Sequence, residues 1–171
     1  MFSKEYLNII DAIQPREDVI MKIIIGVSLD NIIFGMTPEE VINLYGKPDK
    51  INLSEKDHGV VYYYNDKMVK VKFDENENMK LFSLEAYNPE LTIFDVTINN
   101  MTKAQLIAHL NQYGHSKFEH DELTYFETLF FEDIWITFYF EFDKLRGVEF
   151  SPIINEGDEI IWPERGSTTS F

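Results

Sequence analysis

The stretch from Ile134 to Phe142 limits the fold more than any other, because large apolar side chains occupy every second position. Side chains of a β-strand point alternately to its two faces, so a period of two predicts a strand with one apolar face. The predicted inward side chains are Ile134, Ile136, Phe138, Phe140 and Phe142. The predicted outward side chains are Trp135, Thr137, Tyr139 and Glu141.

A capped helix start occurs twice. In GMTPEEVINLYG, Thr37 has the position of an N-cap, Pro38 suits the first helical residue, and Glu40 has the spacing of a capping box. The second stretch, NMTKAQLIAHLNQYG, repeats this pattern with Thr102 and Gln105. A glycine follows each helical segment and predicts its end. The recurrence predicts two related units.

Four short segments with strand character follow each predicted helix. They are INLSEK, GVVYYYN, MVKVKF and LFSLEAY after the first, and SKFEH, ELTYFETL, DIWITFYFEF and RGVEFSP after the second. The predicted fold class is therefore α+β: a tandem repeat of a short helix and an antiparallel four-stranded meander, with the helices packed on one sheet face. An amphipathic N-terminal helix is predicted at residues 1–14.

The predicted domain organisation is a single domain, residues 1–171, that contains two pseudo-repeats. The first unit covers residues 28–88 and the second covers residues 92–152. Residues 1–27 supply the N-terminal helix and a buried strand, MKIIIGVSL, and residues 153–171 form a C-terminal tail.

Charge narrows the range of partners. The sequence has 30 acidic against 15 basic residues, a formal charge of −15, yet 15% of its residues are aromatic, which is typical of a folded protein. This charge repels nucleic acids and anionic membranes and attracts basic proteins. We therefore expect no nucleic acid or membrane partner, and a basic protein partner. Charge that serves solubility alone is the alternative.

No motif for catalysis or cofactor binding stands out. The chain has no cysteine and lacks the nucleophile elbow, the Walker loop and the dinucleotide fingerprint. The run DENENMKLFSLE has oxygen ligands at calcium-loop spacing, but Met79 replaces the required glycine, so a hairpin turn is favoured. The four histidines match no standard metal pair. We expect a cytoplasmic protein with no enzymatic activity, no cofactor and no metal; an unrecognised hydrolase is the remaining catalytic alternative.

The stretches IIFGMTPEEVINLYGKPD and INNMTKAQLIAHLNQYG carry a family resemblance. A helix opened by Gly-Met-Thr, closed by Gly and followed by a meander resembles the repeat of β-lactamase-inhibitor-protein-like domains, and the opening GVSLDNIIFGMT is similar to that of cytosolic bacterial immunity-type proteins. The resemblance implies two subdomains whose sheets form an aromatic face that plugs a partner protein.

These observations favour a non-enzymatic protein-binding inhibitor, such as a cytoplasmic immunity protein that neutralises a bacterial toxin or enzyme. Aromatic side chains among acids are typical of protein-binding surfaces. The predicted binding residues are Trp135, Tyr139, Thr137, Glu141, Tyr62, Tyr64, Tyr125 and Glu127. The alternative is a small-ligand sensor or accessory domain with an apolar pocket between the repeats.

Overall fold

The computed structural model describes residues 20–54 and 58–165. Within these ranges, strands hold 44% of the residues and helices 14%, so β-structure dominates. The helices are α1 (Pro38–Tyr45) and α2 (Lys103–Asn111), and a short 3₁₀ turn spans Glu75–Glu77. The strands are β1 (Met21–Ile24), β2 (Ser28–Leu29), β3 (Ile32–Ile33), β4 (Lys50–Ser54), β5 (Gly59–Tyr64), β6 (Val69–Asp74), β7 (Lys80–Ala86), β8 (Leu91–Ile93), β9 (Val96–Thr97), β10 (Glu119–Glu122), β11 (Glu127–Phe131), β12 (Ile136–Glu141), β13 (Lys144–Phe150), β14 (Ile153–Ile154) and β15 (Ile160–Ile161).

The large sheet has eight strands in the order β10-β11-β12-β13-β7-β6-β5-β4. Neighbouring strands within β4–β7 and within β10–β13 pair in antiparallel fashion. The two groups meet where β13 pairs with β7, with Val148 opposite Ala86 and Phe150 opposite Leu84. The eight strands therefore form one continuous sheet.

A smaller sheet has five strands in the order β3-β2-β1-β8-β9. Strands β1 and β8 run parallel, with Met21 opposite Leu91 and Ile23 opposite Ile93. The segment predicted as one buried strand, MKIIIGVSL, turns after β1, because Gly26 adopts a positive φ of 70°. Two further strands, β14 and β15, form a separate hairpin.

Both helices begin at the predicted caps. The Thr37 hydroxyl accepts a hydrogen bond from the Glu40 amide at 3.2 Å, and that of Thr102 accepts one from the Gln105 amide at 3.1 Å. The Gln105 side chain accepts the Thr102 amide at 3.0 Å, which completes the capping box of α2. In α1 the Glu40 carboxylate pairs with Arg165 instead. Within the described residues, neither helix is long and apolar enough to span a lipid bilayer.

One hydrophobic core lies on a single side of the large sheet, which we call its inner face. It contains residues from the large sheet, the small sheet and both helices, including Phe138, Phe150, Ile23, Ile93, Val41, Leu106 and Leu110. Each large apolar side chain buried there stabilises the fold by roughly 1.5–3 kcal/mol. The other side, the outer face, carries the alternate side chains of the same strands.

The predicted α+β fold class, a tandem repeat of helix-plus-meander units, is wrong. The described chain is mostly β-structure, with only 8 and 9 residues in α1 and α2. Pairing between β13 and β7 merges the predicted meanders into one sheet, and the residues before and between them form a second sheet. The N-terminal helix predicted at residues 1–14 lies outside the described residues.

Candidate functional site

The outer face of the large sheet carries a row of charged side chains across its centre. Lys70 on β6 is directly opposite Glu85 on β7, and Glu85 is opposite Glu149 on β13. The Lys72 ammonium lies 3.2 Å from Glu85 Oε2 and 3.4 Å from Glu149 Oε1. Each glutamate therefore has a lysine partner, although the two carboxylates face each other across adjacent strands.

Glu149 is the acceptor that connects this row to β12. Its Oε1 also accepts a hydrogen bond from the Ser83 hydroxyl at 3.5 Å, and its Oε2 accepts one from the Tyr139 hydroxyl at 3.1 Å. Burial and the Glu149 carboxylate raise the pKa of Tyr139, which therefore stays a hydrogen-bond donor at neutral pH. Burial lowers the pKa of Lys72, but Glu149 and Glu85 together raise it above its ordinary value.

A cleft of about 430 Å³ lies beside this network, across the junction of β7 and β13. Its apolar lining includes Val61, Phe82, Phe130 and Trp135, and its polar lining includes Lys72, Ser83, Thr137 and Glu149. A mainly apolar cleft with a few convergent polar groups is typical of a binding site.

Trp135 forms one wall of the cleft but is not a free aromatic side chain. It lies in the turn before β12 with a φ of 51°, and its indole N–H donates a hydrogen bond of 2.9 Å to the Ile154 carbonyl. Its ring contacts Phe130 edge-on, with the ring centroids 5.5 Å apart. Trp135 therefore links the β14–β15 hairpin to the outer face, which gives it a structural role in addition to any role in binding.

Three apolar side chains at one end of the sheet point into solvent, and we call them the apolar tip. Leu123 and Tyr125, in the loop between β10 and β11, are 51% and 86% exposed, and Phe142, in the turn between β12 and β13, is 97% exposed. The first residue of β11 is opposite Phe140 near the end of β12, so both loops lie at the same end.

Phe142 was predicted to point inward, and this prediction is wrong. Strand β12 ends at Glu141, which pairs with Lys144, so Phe142 and Asp143 form a two-residue turn. Both turn residues have positive φ, 50° and 57°. Such turns favour Asn or Gly because a bulky side chain is strained in the left-handed region. The sequence does not mark this turn, because the buried residues after it do not keep one parity: Leu145 is odd-numbered, whereas Val148 and Phe150 are even-numbered like Phe138. The register of β12 and β13 shifts between Tyr139 and Phe140.

The apolar tip continues into the outer face. The ring of Phe126, next to Tyr125, lies against the ring of Tyr139 with their centroids 5.8 Å apart. Tyr139 in turn reaches Glu149 beside the cleft. Exposed acidic residues border the tip, namely Asp121, Glu122, Glu141 and Asp143. The structure thus brings together aromatic and acidic side chains along β12 and its flanking loops.

The predicted site residues divide into two groups. Thr137, Tyr139 and Glu141 lie on the outer face of β12, Tyr125 is in the apolar tip, and Trp135 lines the cleft. Tyr62 and Tyr64 are opposite Val71 and Val69, so they lie on the inner face. The outward tyrosine of β5 is Tyr63, opposite Lys70.

Glu127, another predicted binding residue, is opposite Phe140 and lies with it on the inner face, near the edge of the large sheet. Its carboxylate contacts the Lys103 ammonium at the start of α2, and Lys103 also lies 2.8 Å from Asp143. Hydrogen bonds from Lys103 lower the pKa of Glu127 and that of Asp143, and in return raise the pKa of Lys103. Glu127 therefore fixes α2 against the sheet instead of joining the outer face.

The histidines are distributed over separate environments. His109 is buried, with Nε2 3.0 Å from the Ile93 carbonyl. His115 Nδ1 lies 2.7 Å from Asp133, and the ring of His115 stacks near Phe94 with the centroids 6.0 Å apart. His58 is exposed and lies just before β5. His120 is on the edge strand β10, 3.8 Å from Glu127.

Comparison with known proteins adds little about function. No protein-family model and no curated protein matches the sequence. An extracellular protein containing a SCP domain from Bacillus anthracis is similar in structure, with 15% identity over 79% of this chain and a TM-score of 0.47; the chain spans 50% of that protein's length. The DUF4309 family protein YjgB from Bacillus subtilis has 12% identity over 68% of this chain and 78% of its own, with a TM-score of 0.43.

Proposed function

We propose that this protein is a non-enzymatic inhibitor that binds another protein through the apolar tip and the adjoining outer face of β12. The observation that supports the proposal is the exposure of Tyr125 and Phe142, 86% and 97%, in two loops at the same end of the sheet. Exposed large apolar side chains in a cluster are typical of interaction sites. Aromatic anchors of this kind contribute most of the binding energy in protein complexes.

The partner that fits this surface is a basic protein. Acidic residues surround the apolar tip, and the chain as a whole has a formal charge of −15. A field of this sign accelerates encounter with a positively charged surface and disfavours acidic competitors. An enzyme or toxin that acts on nucleic acid has a basic cleft, because it binds phosphates. The short opening GVSLDNIIFGMT, which resembles that of immunity-type proteins, is the reason why we choose a cytoplasmic inhibitor of this kind.

A comparative capture experiment tests the proposal. Full-length protein is immobilised and exposed to host lysate beside two variants, Tyr125→Ser/Phe142→Asn, which removes the tip aromatics, and Met68→Asn. Met68 is the matched control, since it is an exposed apolar residue with a positive φ of 55° in the β5–β6 turn. We expect a basic protein to be retained by wild type and Met68→Asn and lost by the double variant. Equal retention by all three would contradict the proposal.

A second candidate function is small-ligand binding in the cleft. The observation that favours it is the position of the cleft across the β7–β13 junction, with a volume of about 430 Å³. That volume is within the range of about 300–1,000 Å³ found for small-molecule sites. Thermal stabilisation by a metabolite, abolished by Thr137→Phe but kept in Tyr125→Ser/Phe142→Asn, would favour this function over protein binding.

A further inference from the structure

The edge of the large sheet presents a histidine and two carboxylates on one side of one strand pair. His120 and Glu122 are two residues apart on β10, so their side chains point to the same face. Glu127 on β11 is directly opposite Glu122. The imidazole and the two carboxylates each offer a ligand atom, and these atoms lie within 4.8 Å of one another.

This spacing is close to that of a metal-ligand set. Tetrahedral zinc with bonds of about 2.0–2.2 Å places its ligand atoms about 3.4 Å apart. His120 Nε2 is already 3.8 Å from Glu127 Oε2. His120 and Glu122 are exposed on an edge strand, so rotation of their side chains closes the remaining gap without moving the core. The backbones of β10 and β11 therefore bring the three ligand side chains together, and only small rotations of these side chains are needed to reach zinc-binding distances.

The pairing of Glu122 with Glu127 indicates a need for positive charge. Like charges directly opposite each other on neighbouring strands destabilise a sheet. In the described structure Lys103 provides the cation at Glu127, and the same ammonium lies 2.8 Å from Asp143. The backbone amide of Lys103 also donates to Asp143 at 3.0 Å. Asp143 can therefore remain paired with Lys103 when a metal cation replaces the Lys103 ammonium at Glu127.

We propose that His120, Glu122 and Glu127 form a zinc site with three protein ligands and one open coordination position. The imidazole selects zinc over calcium and magnesium, which prefer oxygen ligands alone. Glu122 and Glu127 are the residues on either side of the loop that contains Leu123 and Tyr125. Zinc bound to both therefore closes the base of this loop and restrains the apolar tip. The site does not depend on whether the tip binds a protein.

Zinc titration of the tag-free full-length protein by calorimetry tests the site directly. We expect one zinc ion per chain, and a loss of affinity of at least about tenfold in His120→Ala and in Glu122→Gln. Lys103→Met is expected to bind zinc more tightly, because no ammonium then competes for Glu127. Cobalt substitution should give the visible absorption of a tetrahedral complex in wild type and not in His120→Ala.

Two matched controls separate this site from adventitious binding. Glu119→Gln changes an acid on the same strand that points to the opposite face, and His115→Ala removes another histidine that contacts a carboxylate, Asp133. Both controls are expected to bind zinc with wild-type affinity, and circular dichroism verifies the fold of every variant. Absence of zinc binding to the wild type, or equal affinity in wild type, His120→Ala and Glu122→Gln, would overturn the proposal. Neither result bears on protein binding by the apolar tip.

Discussion

Phe142 combines a strained backbone with an almost fully exposed side chain, and neither feature stabilises the folded state. Its φ of 50° is the left-handed conformation, and 97% of the residue is accessible to solvent. A bulky residue in this region costs on the order of 1 kcal/mol, and its exposed ring gains no burial energy in return. We therefore interpret Phe142 as a residue retained for contact with another molecule.

Phe142→Asn should stabilise the isolated protein. Asn adopts positive φ readily and is favoured at the first position of a type I′ turn, so the substitution relieves strain without removing core contacts. We expect the free energy of unfolding to rise by about 0.5–1 kcal/mol, as measured by urea denaturation. A loss of more than about 1 kcal/mol would show that the ring supports the fold.

Phe138→Ala, four residues earlier, should have the opposite effect. Phe138 is fully buried and packs edge-on against Phe131, with the ring centroids 5.7 Å apart. Removing its ring leaves a cavity in the core, and we expect a loss of about 3–5 kcal/mol in the same urea experiment. A small effect would mean that the inner face of β12 has been assigned incorrectly.

Tyr64 makes the fold sensitive to alkali. Burial, followed by the effects of Tyr62 and Asp49, raises its pKa to about 12, and its hydroxyl donates to the Gly46 carbonyl at 2.9 Å. The unfolded chain loses this proton near pH 10, so the contribution of Tyr64 is complete below about pH 10 and is lost as the pH rises towards 12.

Tyr64→Phe tests this dependence. It should reduce the fall of stability between about pH 10 and 12, as followed by urea denaturation at each pH. Some alkaline loss should remain, because burial also raises the pKa of Tyr45 and that of Tyr139. Identical pH profiles for wild type and variant would contradict the assignment.

Residue positions were predictable wherever polar and apolar side chains alternate. The outward placement of Thr137, Tyr139 and Glu141 follows from such alternation in β12. The sequence does not show on which face Tyr62 and Tyr64 lie, because GVVYYY has apolar or aromatic side chains at both odd and even positions. The pairing of β5 with β6, which no single strand reveals, determines that they lie on the inner face.

Helices and hairpins carry local signals, and most of them were recognisable in the sequence. The caps Thr37 and Thr102 and most strands of both groups occur where the pattern predicts them. Strands β10 and β11 are displaced from the predicted segments SKFEH and ELTYFETL, because residues 123–126 form the loop between them. The small sheet was missed because its strands are two to four residues long. Its β1–β8 pair joins segments that are about 70 residues apart, and pairing over such a distance leaves no local signature.

Thr102→Ala should weaken α2 and its attachment to the sheet. The Thr102 hydroxyl accepts the Gln105 amide, and the adjacent Lys103 contacts Glu127 and Asp143 on the large sheet. Loss of an N-cap typically costs about 1 kcal/mol. We expect this loss in the free energy of unfolding, with Thr102→Ser as the matched control that keeps wild-type stability. A neutral Thr102→Ala would mean that tertiary contacts alone hold the helix.

At the scale of the whole molecule, the junction of β7 and β13 decides the architecture. The sequence contains two similar helix starts and two groups of strands. These features are equally compatible with two separate sheets and with one continuous sheet. The antiparallel pairing of Val148 with Ala86 and of Phe150 with Leu84 combines the groups. The same junction creates the outer face on which Lys72 bridges Glu85 and Glu149 and beside which the cleft lies.

The dissociation constant of the captured partner, measured by calorimetry, tests the protein-binding proposal most directly. We predict that Tyr125→Ser/Phe142→Asn weakens binding by at least about 100-fold, since each lost aromatic anchor typically costs about 2 kcal/mol or more. The double variant should be at least as stable as the wild type, because Phe142→Asn is expected to raise the free energy of unfolding, and Met68→Asn should bind with unchanged affinity. A double variant that folds and binds the partner as tightly as the wild type would show that the apolar tip is not the interface.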